Sequence, residues 1–294
     1  MTIAQSAALL FVLWLAPAVQ LLAQPAAFGE STIRARFAPE ADYGPFVFRA
    51  DDGTIRGMSI DFLTLIAKKG GIDIHYLPAR PLNEILDAAR AGEVDLISSL
   101  RPTPERASYL DFSRPYVSVP AVTIGRASGD DLPVLAQLSG RRVAVGKGYA
   151  VEAFLRERYP EIQWIAVTDD TEALVKVSDG EVAAAVTDAA SARFVMARKR
   201  LTGLAIGEAV GFEYSLSFAF PKDRRELGEA LDDGLRAISK IERQSILDRW
   251  MPEVHDDEFI AGNEEFARIG AWIAGAGALL LAVAWLRSRR KPKA

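Results

Sequence analysis

The sequence contains no cysteine and has two histidines, His75 and His255, which lie far apart along the chain. The absence of cysteine excludes disulfide bonds, thiolate metal sites and cysteine nucleophiles. Two distant histidines give little support to a histidine-rich metal site or to a serine–histidine catalytic triad. His75 stands in the alternating segment 72–76, which is typical of a half-buried strand, so we interpret it as structural. We therefore expect neither a metal nor another cofactor.

Charge is missing near both ends of the chain. Residues Ala7–Ala23 carry no charged side chain and end in small residues, which indicates a secretory signal over residues 1–23. Because no Lys or Arg precedes this apolar stretch, an uncleaved anchor is the alternative. Residues 269–286 also carry no charge, and Trp272 and Trp285 stand near their ends. This pattern predicts a transmembrane helix, with a buried core helix as the alternative.

A basic tail, residues 287–294, follows the predicted membrane span. By the positive-inside rule it lies in the cytoplasm, so we expect the body of the chain to be an ectodomain on the opposite side of the membrane. Residues 253–268 are acidic and are interpreted as a stalk. Removing the tail's five positive charges from the formal net charge of −4 leaves −9 for the remainder. An acidic ectodomain argues against nucleic acid as a partner.

The body of the chain reads as an α/β fold. Apolar runs predict strands at Ile33–Phe37 and Gln163–Val167, and a helix at Phe62–Lys69 that is closed by Gly70-Gly71. A helix, a Gly-Glu-Val turn and a strand occur twice, around Gly92 and again around Gly180. This repeat indicates two lobes with the same α/β arrangement, and the strands of both lobes end at a shared cleft.

The segment 94–117 carries the chemistry expected at that cleft. Val94–Leu100 reads as a buried strand, and Thr103-Pro104-Glu105-Arg106 reads as the start of a helix. Backbone N–H groups at such a turn bind anions, and Arg106 can hold a carboxylate through two hydrogen bonds. The alternative is that Arg106 forms a surface ion pair with Glu105 or Asp111.

Three segments in this region carry a family resemblance: Ser98-Ser99-Leu100, Thr103-x-x-Arg106 and Asp111-Phe112-Ser113-Arg114-Pro115-Tyr116. They resemble the bacterial periplasmic solute-binding proteins of family 3, which bind polar amino acids. The same module forms the ectodomains of sensor kinases of the Bordetella virulence type. The Gly-x-Ser-x-Asp segment at residues 57–61 is closer to those sensors than to the transport proteins.

The resemblance covers roughly residues 33–251 and implies a two-lobed α/β fold of the type II Venus flytrap class. Lobe 1 is expected at residues 31–122 and 214–252. Lobe 2 is expected at residues 123–213, with hinges near 119–126 and 207–215.

The resemblance also implies roles for individual residues. Arg106 matches the arginine that binds the ligand's α-carboxylate, with Ser99 and Thr103 beside it. Tyr43 matches the tyrosine that packs on the ligand side chain, although it is equally an aromatic residue at the edge of the core. Asp188 matches the aspartate that pairs with the ligand's ammonium group. Alternatively, Asp188 caps the helix that begins at Ala189.

Two positions depart from the family pattern. Gly148-Tyr149-Ala150 stands where the family has a glycine followed by hydroxylated residues, and Tyr149 is far larger than the usual side chain. Arg101 stands where the family has a small hydroxylated residue. It either adds a second positive charge, which favours a dicarboxylate or acidic amino acid, or points to solvent.

The resemblance implies that two lobes close on a small amino acid-like or carboxylated solute, for uptake or signalling. The partners would then be an importer permease or a separate signalling protein. A periplasmic enzyme similar to cyclohexadienyl dehydratases is the alternative, with Glu152 or Asp188 as the acid. A membrane adaptor with a vestigial cleft is a third interpretation.

Overall fold

The computed structural model describes residues 33–127 and 134–251. The strands are β1 Ile33–Phe37, β2 Asp42–Tyr43, β3 Val47–Arg49, β4 Ile55–Arg56, β5 Ile72–Tyr76, β6 Ile97–Leu100, β7 Leu110–Phe112, β8 Val117–Arg126, β9 Arg142–Gly146, β10 Gln163–Val167, β11 Ala184–Asp188 and β12 Leu204–Pro221. The helices are α1 Met58–Gly70, α2 Leu82–Arg90, α3 Ala150–Arg158, α4 Asp170–Ser178, α5 Ala189–Lys199, α6 Arg225–Ala237 and α7 Lys240–Trp250.

Two long antiparallel strands, β8 and β12, connect the lobes. They pair along most of their length, from Val117 opposite Leu216 to Arg126 opposite Leu204. β6 and β7 join this pair on the lobe 1 side, and the order β10-β9-β11 continues from β8 on the lobe 2 side. The strand pair runs through both predicted hinge regions, and hinge motion there stays a prediction.

Lobe 1 completes its fold with the parallel pair β1 and β5 and with the small sheet β2-β3-β4. α1 begins after Gly57, which has a φ of 135° and lies against the carbonyl of Phe46. Asp61, on the first turn of α1, accepts hydrogen bonds from Trp250 Nε1 at 2.8 Å and Arg249 Nη1 at 2.9 Å. The Gly-x-Ser-x-Asp segment therefore fastens the end of α7 to α1.

Several predicted elements are confirmed. Strands Ile33–Phe37 and Gln163–Val167 have the predicted bounds. The helix predicted at Phe62–Lys69 begins earlier, at Met58, and ends as predicted with Gly71 in the left-handed conformation. The strand predicted from Val94 begins only at Ile97.

The helix predicted to start at Thr103 is wrong. The segment forms a single 3-10 turn, Arg106–Ser108, and then enters β7 at Leu110. The reason is tertiary: Leu110 and Phe112 pair with β12, so the chain joins the sheet after one turn. Anion binding at this position therefore cannot rely on a helix N-terminus.

The core of lobe 1 continues across the lobe boundary. Phe37, Phe62 and Phe218 are fully buried, and the same apolar cluster includes Val145 and Tyr149 of lobe 2. Among residues 33–127 and 134–251, no helix is long and apolar enough to cross a membrane. The predicted signal, stalk, membrane span and basic tail lie outside the described residues.

Candidate functional site

Arg106 lies at the junction of the two lobes and is 4% exposed. Its Nη1 donates to the carbonyl of Arg101 at 2.7 Å, and its Nη2 donates across the cleft to the carbonyl of Gly148 at 2.7 Å. The Thr103 hydroxyl accepts from the backbone N–H of Arg106 at 3.2 Å and holds the turn. Thr103 thus positions Arg106.

The surface ion pair considered for Arg106 does not form. Glu105 pairs instead with Arg90, and within the described residues no carboxylate forms a salt bridge with Arg106. Burial lowers the pKa of Arg106, because the charged guanidinium is removed from water. The site therefore contains a buried cation whose hydrogen-bond partners are neutral carbonyl groups.

Ser99 is held by a hydrogen-bonded network inside lobe 1. Its hydroxyl lies 2.8 Å from the hydroxyl of Ser59, and its backbone N–H donates to the Tyr116 hydroxyl at 2.9 Å. Ser59 also contacts the Tyr116 hydroxyl at 2.7 Å. Ser99 has a φ of 59°, a left-handed conformation that is uncommon for serine. The network stabilises this backbone, which carries the chain directly to Arg101.

Arg101 turns toward the hinge. Its guanidinium stacks on the ring of Phe212 at 3.9 Å, and its Nη1 donates to the carbonyl of Glu213. Burial lowers the pKa of Arg101. Both partners belong to β12, so Arg101 braces the lobe 1 strand end against the long strand that connects the lobes. It still forms part of the cavity wall.

Tyr149 crosses the cleft from lobe 2 and is 5% exposed. Its hydroxyl donates to Glu40 Oε1 at 2.8 Å, and its ring lies 5.7 Å from the ring of Tyr43. Glu40 belongs to lobe 1, and burial raises its pKa to about 8. Glu40 is a site residue that the sequence analysis missed. The one available signal was a carboxylate within an otherwise apolar segment.

The cavity between these groups measures about 10 Å³, which is the space of one water molecule at most. It is lined mainly by residues already described, together with Tyr214 and Ala150. The ring of Tyr149 therefore occupies the volume that a ligand would need. Tyr43 lines this cavity and is itself buried in the core, and its contact with a ligand side chain stays a prediction.

Asp188 ends β11 in lobe 2 near Tyr43, and among the described residues it is not part of the cavity lining. Its Oδ1 accepts from the backbone N–H of Ser191 at 2.8 Å, so Asp188 caps α5 as in the alternative interpretation. Its Oδ2 is buried and has no hydrogen-bond partner among the described residues. Burial raises the pKa of Asp188 to about 6, although the donors of Ser191 and Tyr43 oppose the shift. One oxygen thus caps α5, and the hydroxyl of Tyr43 lies close to the carboxyl group.

Asp170 is a second buried carboxylate in lobe 2 that the sequence analysis missed as a site residue. Neither of its oxygens has a hydrogen-bond partner of ordinary geometry within the described residues, although the nearby side chain of Thr187 acts to lower its pKa. Burial raises the pKa of Asp170 well above its ordinary value, and the nearby charges of Asp188 and Glu40 act in the same direction. The helix α4 is capped by the preceding residue, Asp169.

The lobes also touch at a point away from the cavity. Arg198, near the end of α5, donates to the carbonyl of Arg49 at 3.0 Å and lies 3.5 Å from a carboxylate oxygen of Asp42. Its guanidinium stacks on Phe48 at 5.0 Å. Together with the contacts of Arg106 and Tyr149, this places the lobes in a closed arrangement.

Comparison with known proteins identifies the relatives of this fold and site. The sequence profile of the bacterial extracellular solute-binding proteins, family 3, matches residues 35–253. The virulence sensor protein BvgS of Bordetella pertussis is 29% identical over 248 residues, which are 83% of this chain and 20% of the sensor. The chain thus spans about one fifth of the length of that relative.

A binding protein of a transporter and two solved structures also match this chain. The ABC transporter arginine-binding protein 1 of Escherichia coli strain K12 is 24% identical, covering 77% of this chain and 94% of that protein. The crystal structure of the Bordetella pertussis BvgS periplasmic VFT2 domain is 28% identical with a TM-score of 0.66, covering 74% of this chain and 92% of that one. An ancestral arginine-binding protein bound to arginine is 26% identical with a TM-score of 0.67, covering 74% and 98%.

Proposed function

Since this chain belongs to the bacterial extracellular solute-binding proteins of family 3, we propose that it binds a small carboxylate-bearing, amino acid-like solute between its lobes. The relatives named above are binding proteins and sensors, and this chain is accordingly a binding protein rather than an enzyme. Glu152, which the enzyme alternative would use as an acid, instead pairs with Arg156 and accepts from the backbone N–H of Gly148.

The buried guanidinium of Arg106 carries this proposal. A buried cation is costly unless an anion or several hydrogen bonds compensate it, and Arg106 has two carbonyl partners. A ligand carboxylate supplies the missing negative charge and matches the planar guanidinium with two parallel bonds. Asp188 Oδ2, buried and without a partner among the described residues, supports an ammonium group on the same ligand.

Arg106→Ala tests the anchor. A screen of amino acids and carboxylic acids by thermal shift on the full-length protein identifies a ligand, and calorimetry then measures its affinity. Truncating one partner of a buried charge contact costs about 2–5 kcal/mol, so we expect binding to weaken by roughly thirtyfold or more. Arg225→Ala is the matched control, because Arg225 forms an exposed pair with Glu229. Equal affinity in Arg106→Ala and wild type would refute the anchor.

We further propose that the binding domain is periplasmic and tethered to the inner membrane through residues 269–286. The charge step at the basic tail supports this topology. Alkaline phosphatase fused after Ala294 should be inactive, whereas the same enzyme fused after Glu253 should be active. The reverse pattern would contradict the tether.

Signalling is the favoured output, and uptake is the second candidate. The Gly-x-Ser-x-Asp segment supports signalling because Asp61 fastens the end of α7, from which the chain continues toward the predicted stalk. Movement of α1 with its lobe would thus be transmitted directly to α7. A deletion strain tested for growth on the identified ligand separates the outputs, since only an uptake protein is required for that growth.

A further inference from the structure

The cleft is closed on one of the protein's own side chains. Tyr149 extends from the turn before α3 in lobe 2, and its hydroxyl reaches Glu40 of lobe 1. With the tyrosine in this position, the remaining cavity of about 10 Å³ admits at most one water molecule. An amino acid does not fit in this cavity beside the ring. A separate cavity of about 460 Å³ also borders Arg106 and Gly148.

The position of the tyrosine ring is prepared by its surroundings. A Cβ added at Gly146 would lie 2.6 Å from the ring of Tyr149, so the glycine leaves the space that the ring occupies. Tyr43 borders the ring on the other side at 5.7 Å. The ring therefore has a defined seat, and the hydrogen bond to Glu40 gives it a polar anchor in the opposite lobe.

Buried polar groups near this seat have no partners within the described part of the chain. These are both carboxylate oxygens of Asp170, Oδ2 of Asp188 and the hydroxyl of Tyr214. Side chains of this kind are normally hydrogen-bonded when buried. Tyr149 lines the same cavity as Tyr214, and Asp170 is close enough to raise the pKa of Tyr149. The one hydroxyl of Tyr149 donates to Glu40.

We propose that the side chain of Tyr149 fills the ligand site when no ligand is bound and thereby determines which ligands bind. A ligand enters only when the phenol leaves Glu40, and the ligand then offers Glu40 a hydrogen-bond donor of its own. Because Glu40, Asp170 and Asp188 are all carboxyl groups, an ammonium or guanidinium group replaces the phenol best. This proposal rests on the proposed function, in which Arg106 holds the carboxylate end.

Tyr149→Ser and Tyr149→Phe in the full-length protein test the proposal. Serine empties the seat, and phenylalanine keeps the ring but removes the bond to Glu40. Since the chain has no cysteine, Glu93→Cys in lobe 1 and Glu157→Cys in lobe 2 accept two spin labels uniquely, and their separation reports lobe closure. L-arginine and L-glutamate are the calorimetric probes. Tyr76→Phe, an exposed tyrosine at 43% exposure, is the control.

We expect one short label distance in the wild type and in Tyr76→Phe without any probe. Tyr149→Ser should show a longer, broader distance that L-arginine shortens again, with at least a tenfold gain in affinity for L-arginine over wild type. Tyr149→Phe should lie between the two. A wild-type distance and unchanged affinity in both Tyr149 variants would overturn the proposal.

The outcomes separate this inference from the proposed function. Suppose that Tyr149→Ser opens the lobes but that Arg106→Ala leaves probe binding in that background unchanged. The proposed role of Tyr149 is then correct, and the proposed role of Arg106 as the carboxylate anchor is wrong. Suppose instead that wild type and Tyr149→Ser bind a probe equally and that Arg106→Ala abolishes probe binding in both backgrounds. The role of Arg106 is then correct, and the role of Tyr149 is wrong.

Discussion

The two walls of the cleft differ in how completely their polar groups are hydrogen-bonded, although the hydroxyl of Tyr214, where lobe 1 meets the hinge, also has no partner among the described residues. On the lobe 1 wall, Ser59, Ser99 and Tyr116 satisfy one another in a closed network. On the lobe 2 wall, Asp170 and one oxygen of Asp188 are buried without a partner among the described residues. The difference indicates that the lobe 1 wall is preorganised to bind the carboxylate that all candidate ligands share. The unpaired carboxyl groups of the lobe 2 wall would then determine which ligands bind.

The largest expected effect concerns Glu40, where the walls meet. Burial raises its pKa from 4.5 to about 8, so the folded protein holds this proton more tightly than the unfolded chain does. The contribution of protonated Glu40 to the free energy of unfolding is fully present below about pH 4.5 and is lost as the pH rises through about 8. At about 1.4 kcal/mol per pKa unit, the loss amounts to a few kcal/mol.

Glu40→Gln checks this expectation. Glutamine keeps an acceptor for Tyr149 but cannot ionise, so its stability relative to wild type should rise with pH across that interval. Urea unfolding at about pH 5 and about pH 9 measures the difference, with the exposed Glu229→Gln as control. Parallel pH curves for wild type and Glu40→Gln would show that Glu40 is not held protonated between the lobes.

The next effect tests whether the lobe 1 network stabilises the fold. Tyr116→Phe leaves the backbone N–H of Ser99 and the hydroxyl of Ser59 with one partner fewer inside the core. A buried polar group left without its partner costs about 1–3 kcal/mol, and we expect a loss of that size in the free energy of unfolding. Tyr76→Phe should change it by less than about 0.5 kcal/mol. Equal effects in both variants would remove the distinction between the walls.

The smallest effect is expected on the lobe 2 wall. Asp170→Asn replaces a carboxyl group whose pKa burial raises well above its ordinary value with a neutral group of similar shape. Because no described partner is lost, the free energy of unfolding at about pH 5 should change by less than about 0.5 kcal/mol. A loss above about 2 kcal/mol would mean that Asp170 is structurally paired and that the lobe 2 wall is not free to choose.

The sequence predicted groups that lie within one short segment better than contacts between the lobes, for a physical reason. Arg106 and Ser99 lie in one short segment, so their spacing along the chain already places them together. Glu40 acquires its role only through Tyr149, which is 109 positions away and in the other lobe. No local pattern encodes that contact.

Two further differences between the sequence prediction and the structure have the same origin. The capping pattern at Thr103 predicted a helix, but pairing of β7 with β12 took precedence over local preference. Tyr149 was recognised as too large for the family's pattern, yet only packing against Gly146 and Glu40 shows that it fills the cleft. Local motifs therefore predicted several of the residues that line the cavity but not Glu40, and their roles toward a ligand stay predictions.

The central claim is that the buried guanidinium of Arg106 binds the carboxylate of the ligand. Its most direct test is a titration of wild type and Arg106→Ala with the amino acid identified by screening and with the amine that lacks its carboxylate. We expect the amine to bind roughly thirtyfold or more weakly than the amino acid in wild type, and about equally in Arg106→Ala. The same loss in both proteins would show that the carboxylate binds elsewhere and would contradict the claim.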